Sequence, residues 1–126
     1  MRKEPFGLDD YVHIFNRGNR KLPIVKDNKD KFRFLQSLYY FNTEITPSNP
    51  FRSLLKSDFN RWPEEWAPRK PIIKILCFTI LNNHFHILAK EITRGGITLF
   101  MRRLGTGFTN YFNIRHQESG RLFQGA

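Results

Sequence analysis

The residues best suited to chemistry are two histidines two positions apart, His84 and His86, with Phe85 between them. On a strand, side chains two apart share a face, so both imidazoles project together while Phe85 and Ile87 point the other way. Neighbouring imidazoles hold one divalent ion when a third ligand comes from elsewhere, and the apolar residue between them anchors the strand that carries them. Position 88, where a histidine-triad nucleotide hydrolase needs a third histidine, is Leu88. A three-histidine zinc site lacks an obvious third ligand, since His13 and His116 are what remain. A nuclease that activates water needs acidic ligands near the histidines, and Glu91, at the far end of the same run, is poorly placed for that. The single cysteine, Cys77, excludes a disulfide framework and a Cys-based zinc cluster, and it reads as an inert small hydrophobe in a buried strand.

Charge points to the partner. Lys and Arg number 21 against 11 Asp and Glu, a net charge of +10 over 126 residues, which favours phosphate-rich partners. The cations best placed to meet phosphate are Arg17 and Arg20, with Asn19, in the turn cluster Asn16-Arg17-Gly18-Asn19-Arg20, where Gly18 permits close backbone approach. Arg102 and Arg103, off the apolar stripe of a later helix, come next. Thirteen phenylalanines supply a core, with some left to stack on unpaired bases. Trp62 and Trp66 read as pins that hold an insertion to the core, with base stacking as the alternative. The longest apolar run, 75–81, is about a third of the ~20 residues that cross a bilayer, and the opening MRKEPFGLDD has no apolar stretch. The expected setting is cytoplasmic, without a membrane.

These side chains need elements to position them. YVHIF at 11–15 reads as a short strand that ends in the turn cluster. Asp27 opens a helix with Asp30 as its capping partner, and Phe32, Leu35, Leu38, Tyr39 and Asn42 mark the apolar stripe. The segment 43–71, with five prolines and two tryptophans, reads as an insertion or long loop with at most a short helix near 51–59. IIKILCFTIL at 72–81 predicts a central strand buried on both faces. Asn82-Asn83 then makes a tight turn into the histidine strand at 84–89. Gly95-Gly96 precedes a long helix over about 97–116, striped by Phe100, Leu104, Phe108, Tyr111 and Phe112, whose N-terminus offers an anion site, although capping alone explains the glycines. RLFQ at 121–124 begins another strand. The order βαββα(β) predicts an α+β fold in one domain over 1–126: a ferredoxin-like split βαβ sandwich, antiparallel, with helices on one face and the last strand and helix missing or incomplete.

The combination of RGN at 17–19, NHFH at 83–86 and YFN-x-R-x(5)-RLFQG at 111–125 resembles the single-tyrosine HUH transposases, in particular the REP-associated tyrosine transposase group. The resemblance covers nearly all of the chain outside 43–71, and His84, Phe85 and His86 stand at the positions of its HUH motif. It implies binding of single-stranded hairpin DNA, Mg²⁺ or Mn²⁺ held by His84 and His86, and attack on the scissile phosphate by a tyrosine to give a 5′-phosphotyrosine. It also implies homodimers. The family's nucleophile lies on a helix after the LFQG strand, with Asn or Gln four residues later, so it is expected beyond Ala126. Four residues after Tyr11, Tyr39, Tyr40 and Tyr111 stand Phe15, Thr43, Glu44 and Arg115, so none has that partner. The chain thus reads as a C-terminally truncated transposase that lacks its nucleophile. Tyr111, on the stripe with Phe108 and Phe112, reads as core or base-stacking. The competing reading is a binding module without chemistry, an RRM-like sheet that stacks bases on aromatics. It needs exposed aromatics on central strands, and Phe78 and Phe85 fall in strands that read as covered.

Overall fold

Alternation of apolar and polar residues builds the first strand, β1 (Tyr11–Arg17): Val12 and Ile14 are buried, while Tyr11, His13, Phe15 and Arg17 face outward. The computed structural model describes residues 8–47, 50–53 and 61–125. The histidine run forms a second such strand with strict alternation, labelled β3 (His84–Glu91), which buries Phe85, Ile87, Ala89 and Glu91. Between them in sequence lies β2 (Ile73–Ile80), and the sheet order is β1-β3-β2 with both pairings antiparallel. Leu81 N–H bonds to the His84 carbonyl at 2.8 Å across Asn82-Asn83, closing the expected hairpin.

The central strand is therefore β3, and β2 lies at the edge. Of the apolar run, Ile72 and Ile73 are buried, but Leu76, Phe78 and Leu81 are 42%, 46% and 45% exposed. Cys77 is exposed too, which corrects its reading as a buried hydrophobe. A bulge between Ile75 and Cys77 breaks the alternation, a common device on edge strands. A run of β-branched residues signals a strand, but its place in the sheet depends on partners distant in sequence.

Two helices cover the buried face. The first, α1 (Asn28–Tyr40), begins where predicted: the Asp27 side chain accepts the Asp30 N–H at 3.1 Å, and the Asp30 carboxylate accepts the Lys26 N–H at 2.8 Å. Its buried stripe is rotated from the expected one, running through Phe34, Leu38 and Phe41, with Leu35 half-buried and Tyr39 outside. The second, α2 (Gly96–His116), buries Phe100, Leu104, Phe108 and Phe112 as the spacing predicts, and Ile97 besides, while Tyr111 of the expected stripe is half-buried. Gly95 takes φ +78°, the left-handed turn that glycine permits, and the buried Glu91 carboxylate accepts the Ile97 N–H at 2.8 Å. The protein's own carboxylate thus occupies the helix N-terminus that the sequence offered to an anion. Phe34 sits at the centre of the core, 5.1 Å from the Phe85 ring and 5.1 Å from Phe108.

The insertion is tied at its neck. Glu44 N–H bonds to the Lys70 carbonyl at 2.9 Å, and Lys70 N–H to the Thr43 hydroxyl at 3.0 Å. Beside that neck, buried Asn42 accepts from the N–H groups of Ile72 and Ile73 and donates to the Ile73 carbonyl, joining the end of α1 to the start of β2. Trp62 and Trp66 pack edge-on at 4.8 Å and both contact Tyr40, so they pin the insertion as expected. A short 3₁₀ turn spans Pro50–Ser53; most of the helix expected near 51–59 lies outside the described residues.

After α2 the chain returns to β1. Gly18 and Phe123 form a single antiparallel bridge, flanked by Asn19 N–H to the Leu122 carbonyl and Gln124 N–H to the Arg17 carbonyl, each 2.8 Å. Toward Tyr11 the outer edge of β1 has no partner strand among the described residues. A groove of about 810 Å³ runs there, with Val12, Ile14 and Phe123 along β1 and Thr98, Met101 and Gly105 on α2.

Candidate functional site

Register brings the site together. Opposite partners in an antiparallel pair share a face, so Arg17 lies beside His84 and Phe15 beside His86 on the open side of the sheet. The expected parity of His84 and His86 holds: both point away from the core, their ring centroids are 5.2 Å apart and their planes are nearly perpendicular at 87°.

Each imidazole is held from behind. His84 Nδ1 lies 2.9 Å from the Asn83 side-chain oxygen. An amide oxygen only accepts, so Nδ1 carries the proton and Nε2 keeps its lone pair. His86 Nδ1 lies 2.9 Å from Nε2 of His13, and the two rings stack at 5.0 Å and 17°. One of those two nitrogens must carry the shared proton, and the contact leaves His86 Nε2 outside it. Both motif histidines therefore have Nδ1 engaged, which leaves each Nε2 outside these contacts. His13 is the residue that sequence reasoning missed. Its signal was parity, since it alternates with Val12 and Ile14 and so belongs on the open face. That it meets His86 follows from the β1–β3 register, which no local pattern reveals.

Cations border one end of this face. Arg17 donates through Nε to the Gln124 side-chain oxygen at 2.5 Å, so the returning segment buttresses it. Asn16 accepts the N–H groups of Arg17 and Gly125 at 2.9 Å each. A pocket of about 810 Å³ opens between Phe15, Arg17, Lys21, His84 and His86. Lys21, which sequence reasoning did not single out, enters it from a turn in which Arg20 and Lys21 both take left-handed backbone, φ +58° and +62°. Non-glycine residues adopt that region in succession only when their surroundings enforce it. Here the Asn83 side chain donates to the Lys21 carbonyl at 3.3 Å, and the N–H groups of Ile24 and Val25 bond to the Asn82 carbonyl.

The other predicted contacts are spread out. Asn19 gives its N–H to Leu122, and Arg20 is exposed beside the pocket. Arg102 lines the groove between α2 and β1. Arg103 is committed to the end of α1, where it donates to the carbonyls of Phe41, Thr43 and Glu44. Gly18 has a structural reason of its own: a Cβ there would lie 1.8 Å from the Leu22 carbonyl oxygen, so the close approach is to the chain itself.

The tyrosines stand apart from the histidines. Tyr111 donates to buried Asp30 at 2.8 Å on the helix side of the sheet, and burial together with that carboxylate pushes its hydroxyl up to about 12. Tyr40 is buried and donates to the Arg61 carbonyl, while Tyr39 lies under the Arg69 guanidinium at 3.9 Å. Tyr11 shares the open face, but four residues separate it from Phe15, the partner of His86. That is ~13 Å along a strand, out of reach of a phosphate between the two motif histidines. His116 is engaged with Asp30 on the helix side, 2.8 Å away.

Among the described residues no group of three or more His, Cys, Asp or Glu is placed to hold a metal ion. No helix among them is long and apolar enough to cross a membrane. Comparison with protein-family models, with curated proteins and with solved structures finds no match for the chain.

Proposed function

We propose that this chain is the DNA-holding part of a single-tyrosine HUH-type transposase domain, which binds single-stranded hairpin DNA with a divalent ion at His84 and His86. Its fold on this reading is a ferredoxin-like split βαβ sandwich. The β1-β3-β2 order, with β1 and β2 parallel on either side of β3, is what such a sandwich has, and the bridge at Phe123 sits where its fourth strand would begin. The observation that carries the reading is the pair of imidazoles on the open face, each held at Nδ1, beside Arg17 and Lys21.

The residues fit the ion. Two protein ligands suffice for a cation that completes its shell with water and substrate phosphate oxygens. Imidazole donors suit a transition metal, so Mn²⁺ fits this pair better than Mg²⁺. When bound, such an ion polarises the scissile phosphate as a Lewis acid. Asn83 holds the His84 tautomer, His13 orients His86, and Arg17 and Lys21 take up phosphate charge. None of the described tyrosines reaches the phosphate, so the chain as given is expected to hold DNA without cutting it.

Mn²⁺ titration followed by electron paramagnetic resonance, with hairpin DNA present, tests this. His84→Ala and His86→Ala should each abolish saturable binding, and His13→Ala should weaken it about tenfold through lost orientation. Intact mass should show no covalent protein–DNA adduct. Binding of Mn²⁺ that is indifferent to both alanine variants sinks the metal site, and an adduct would show that one of the four tyrosines attacks after all.

A further inference from the structure

The open face carries an aromatic feature that ion binding does not explain. Tyr11 and Phe15, alternate-face residues of β1, are 67% and 64% exposed. Phe15 contacts the rings of His13 and His86, at 5.3 Å and 6.2 Å, so it extends the histidine surface outward. Beside the rings the face carries Leu88 on β3 and Cys77 and Thr79 on β2. Its charges lie at the two ends. Arg17 and Lys21 stand at one; Lys90, 5.7 Å from the Tyr11 ring, and its cross-strand partner Lys74 stand at the other. Asp9 pairs with Lys90 at 3.5 Å.

Exposed rings between two cationic ends match a polyanion whose bases are free. Base stacking on aromatic rings is tolerant of sequence, and the backbone follows the positive charge. The two rings are ~13 Å apart along the strand, nearly four times the 3.4 Å step of a stacked nucleic-acid strand. Consecutive stacked bases therefore do not span them, and an extended, unstacked strand does. A second copy of the chain is a poor occupant, because its cationic ends would meet their like.

We propose that Tyr11 and Phe15 are stacking platforms for two unpaired bases of an extended single strand, with its phosphates on Arg17 and Lys21 at one end and Lys74 and Lys90 at the other. This rests on the reading that the open face binds DNA, and it adds where the bases lie.

The test is fluorescence anisotropy of the full chain with a labelled oligothymidylate and with an abasic strand of the same length, over a salt series. Phe15→Ala and Tyr11→Ala should each weaken oligothymidylate binding about fivefold or more, and the double variant about thirtyfold, with the salt slope unchanged. Phe15→Trp should retain binding, and the wild type should prefer bases to abasic sugar. Both rings are exposed, so thermal melting of the variants should match the wild type. Wild-type binding that neither alanine change weakens overturns the stacking proposal while the DNA reading stands. Equal affinity for the abasic strand overturns it as well. A wild type that binds neither strand overturns both. If sedimentation shows a dimer that Phe15→Ala dissociates, the face is a self-interface and the proposal falls.

Discussion

Asp30→Ala is expected to destabilise the fold by about 3–5 kcal/mol, because it leaves buried donors and a partly buried cation without their partner. Asp30 is fully buried and accepts from the Lys26 N–H, the Tyr111 hydroxyl at 2.8 Å, Arg115 at 2.6 Å and His116 at 2.8 Å. Arg115 also forms a two-pronged pair with Asp27, both contacts 2.6 Å, which clamps the end of α2 to the start of α1. Urea denaturation at neutral pH measures the loss. Asp30→Asn, which keeps the volume and one acceptor oxygen, should cost less. The same hub sets an acid limit. Burial by itself raises the Asp30 carboxyl, but the Lys26 N–H, the Tyr111 hydroxyl, Arg115 and His116 outweigh it and hold it below the ordinary range. Asp27 is lowered as well, first by its bond to Arg115. Carboxyls depressed in the folded state stabilise fully above their unfolded pKa of about 4, and that contribution fades as pH falls through the folded values. Denaturation midpoints should therefore hold from neutral pH down to about pH 4 and fall below it, and the fall should flatten in Asp30→Asn.

Gly18→Ala should cost about 3 kcal/mol and, on the proposed reading, weaken DNA binding in the same stroke. The added Cβ would lie 1.8 Å from the Leu22 carbonyl oxygen and 2.9 Å from its carbon, and backbone cannot step aside as a side-chain tip does. Since φ is −62°, glycine is needed at this position for space alone. Relief of the clash must move the turn 18–22, which carries Lys21 into the pocket and follows directly on Arg17. Thermal melting and anisotropy on one preparation read both losses. Gly105→Ala is the control: a Cβ there meets nothing within 4 Å, and alanine favours a helix interior, so this variant should gain about 0.5–1 kcal/mol. A Gly18→Ala protein as stable as the wild type would show that the turn relaxes freely and that Lys21 is not held in place.

What could be read from residues alone was what is encoded over short distances. The parity of His84 and His86, the Asp27 cap, the turn at Asn82-Asn83 and the α2 stripe all follow from neighbours within one or two turns of chain, and the fold shows each. The errors arise where a partner distant in sequence decides. IIKILCFTIL has the composition of a central strand, yet β3 takes the centre and leaves Phe78 and Cys77 exposed. Gly18 looks like a phosphate-facing glycine until Leu22 is seen folded against it. His13 is one isolated histidine in the sequence, and pairing across 73 positions makes it a partner of His86.

The half-open edge of β1 bears on how this protein behaves in solution. In an antiparallel ladder alternate residues turn their backbone groups to either side, and the bond from Glu91 N–H to the Asp10 carbonyl assigns the even-numbered residues to β3. Tyr11, His13 and Phe15 then present their N–H and C=O groups outward, on a stretch without proline or bulge and without a partner strand among the described residues, so an extended chain can add there. Against that self-templating stands the net charge of +10, which keeps copies apart at low ionic strength. Salt screens this repulsion as surely as it screens the attraction to phosphate. If the open face binds nucleic acid as proposed, ionic strength sets colloidal stability and that affinity together: conditions that strip the polyanion from the protein are the ones in which its strands begin to find each other.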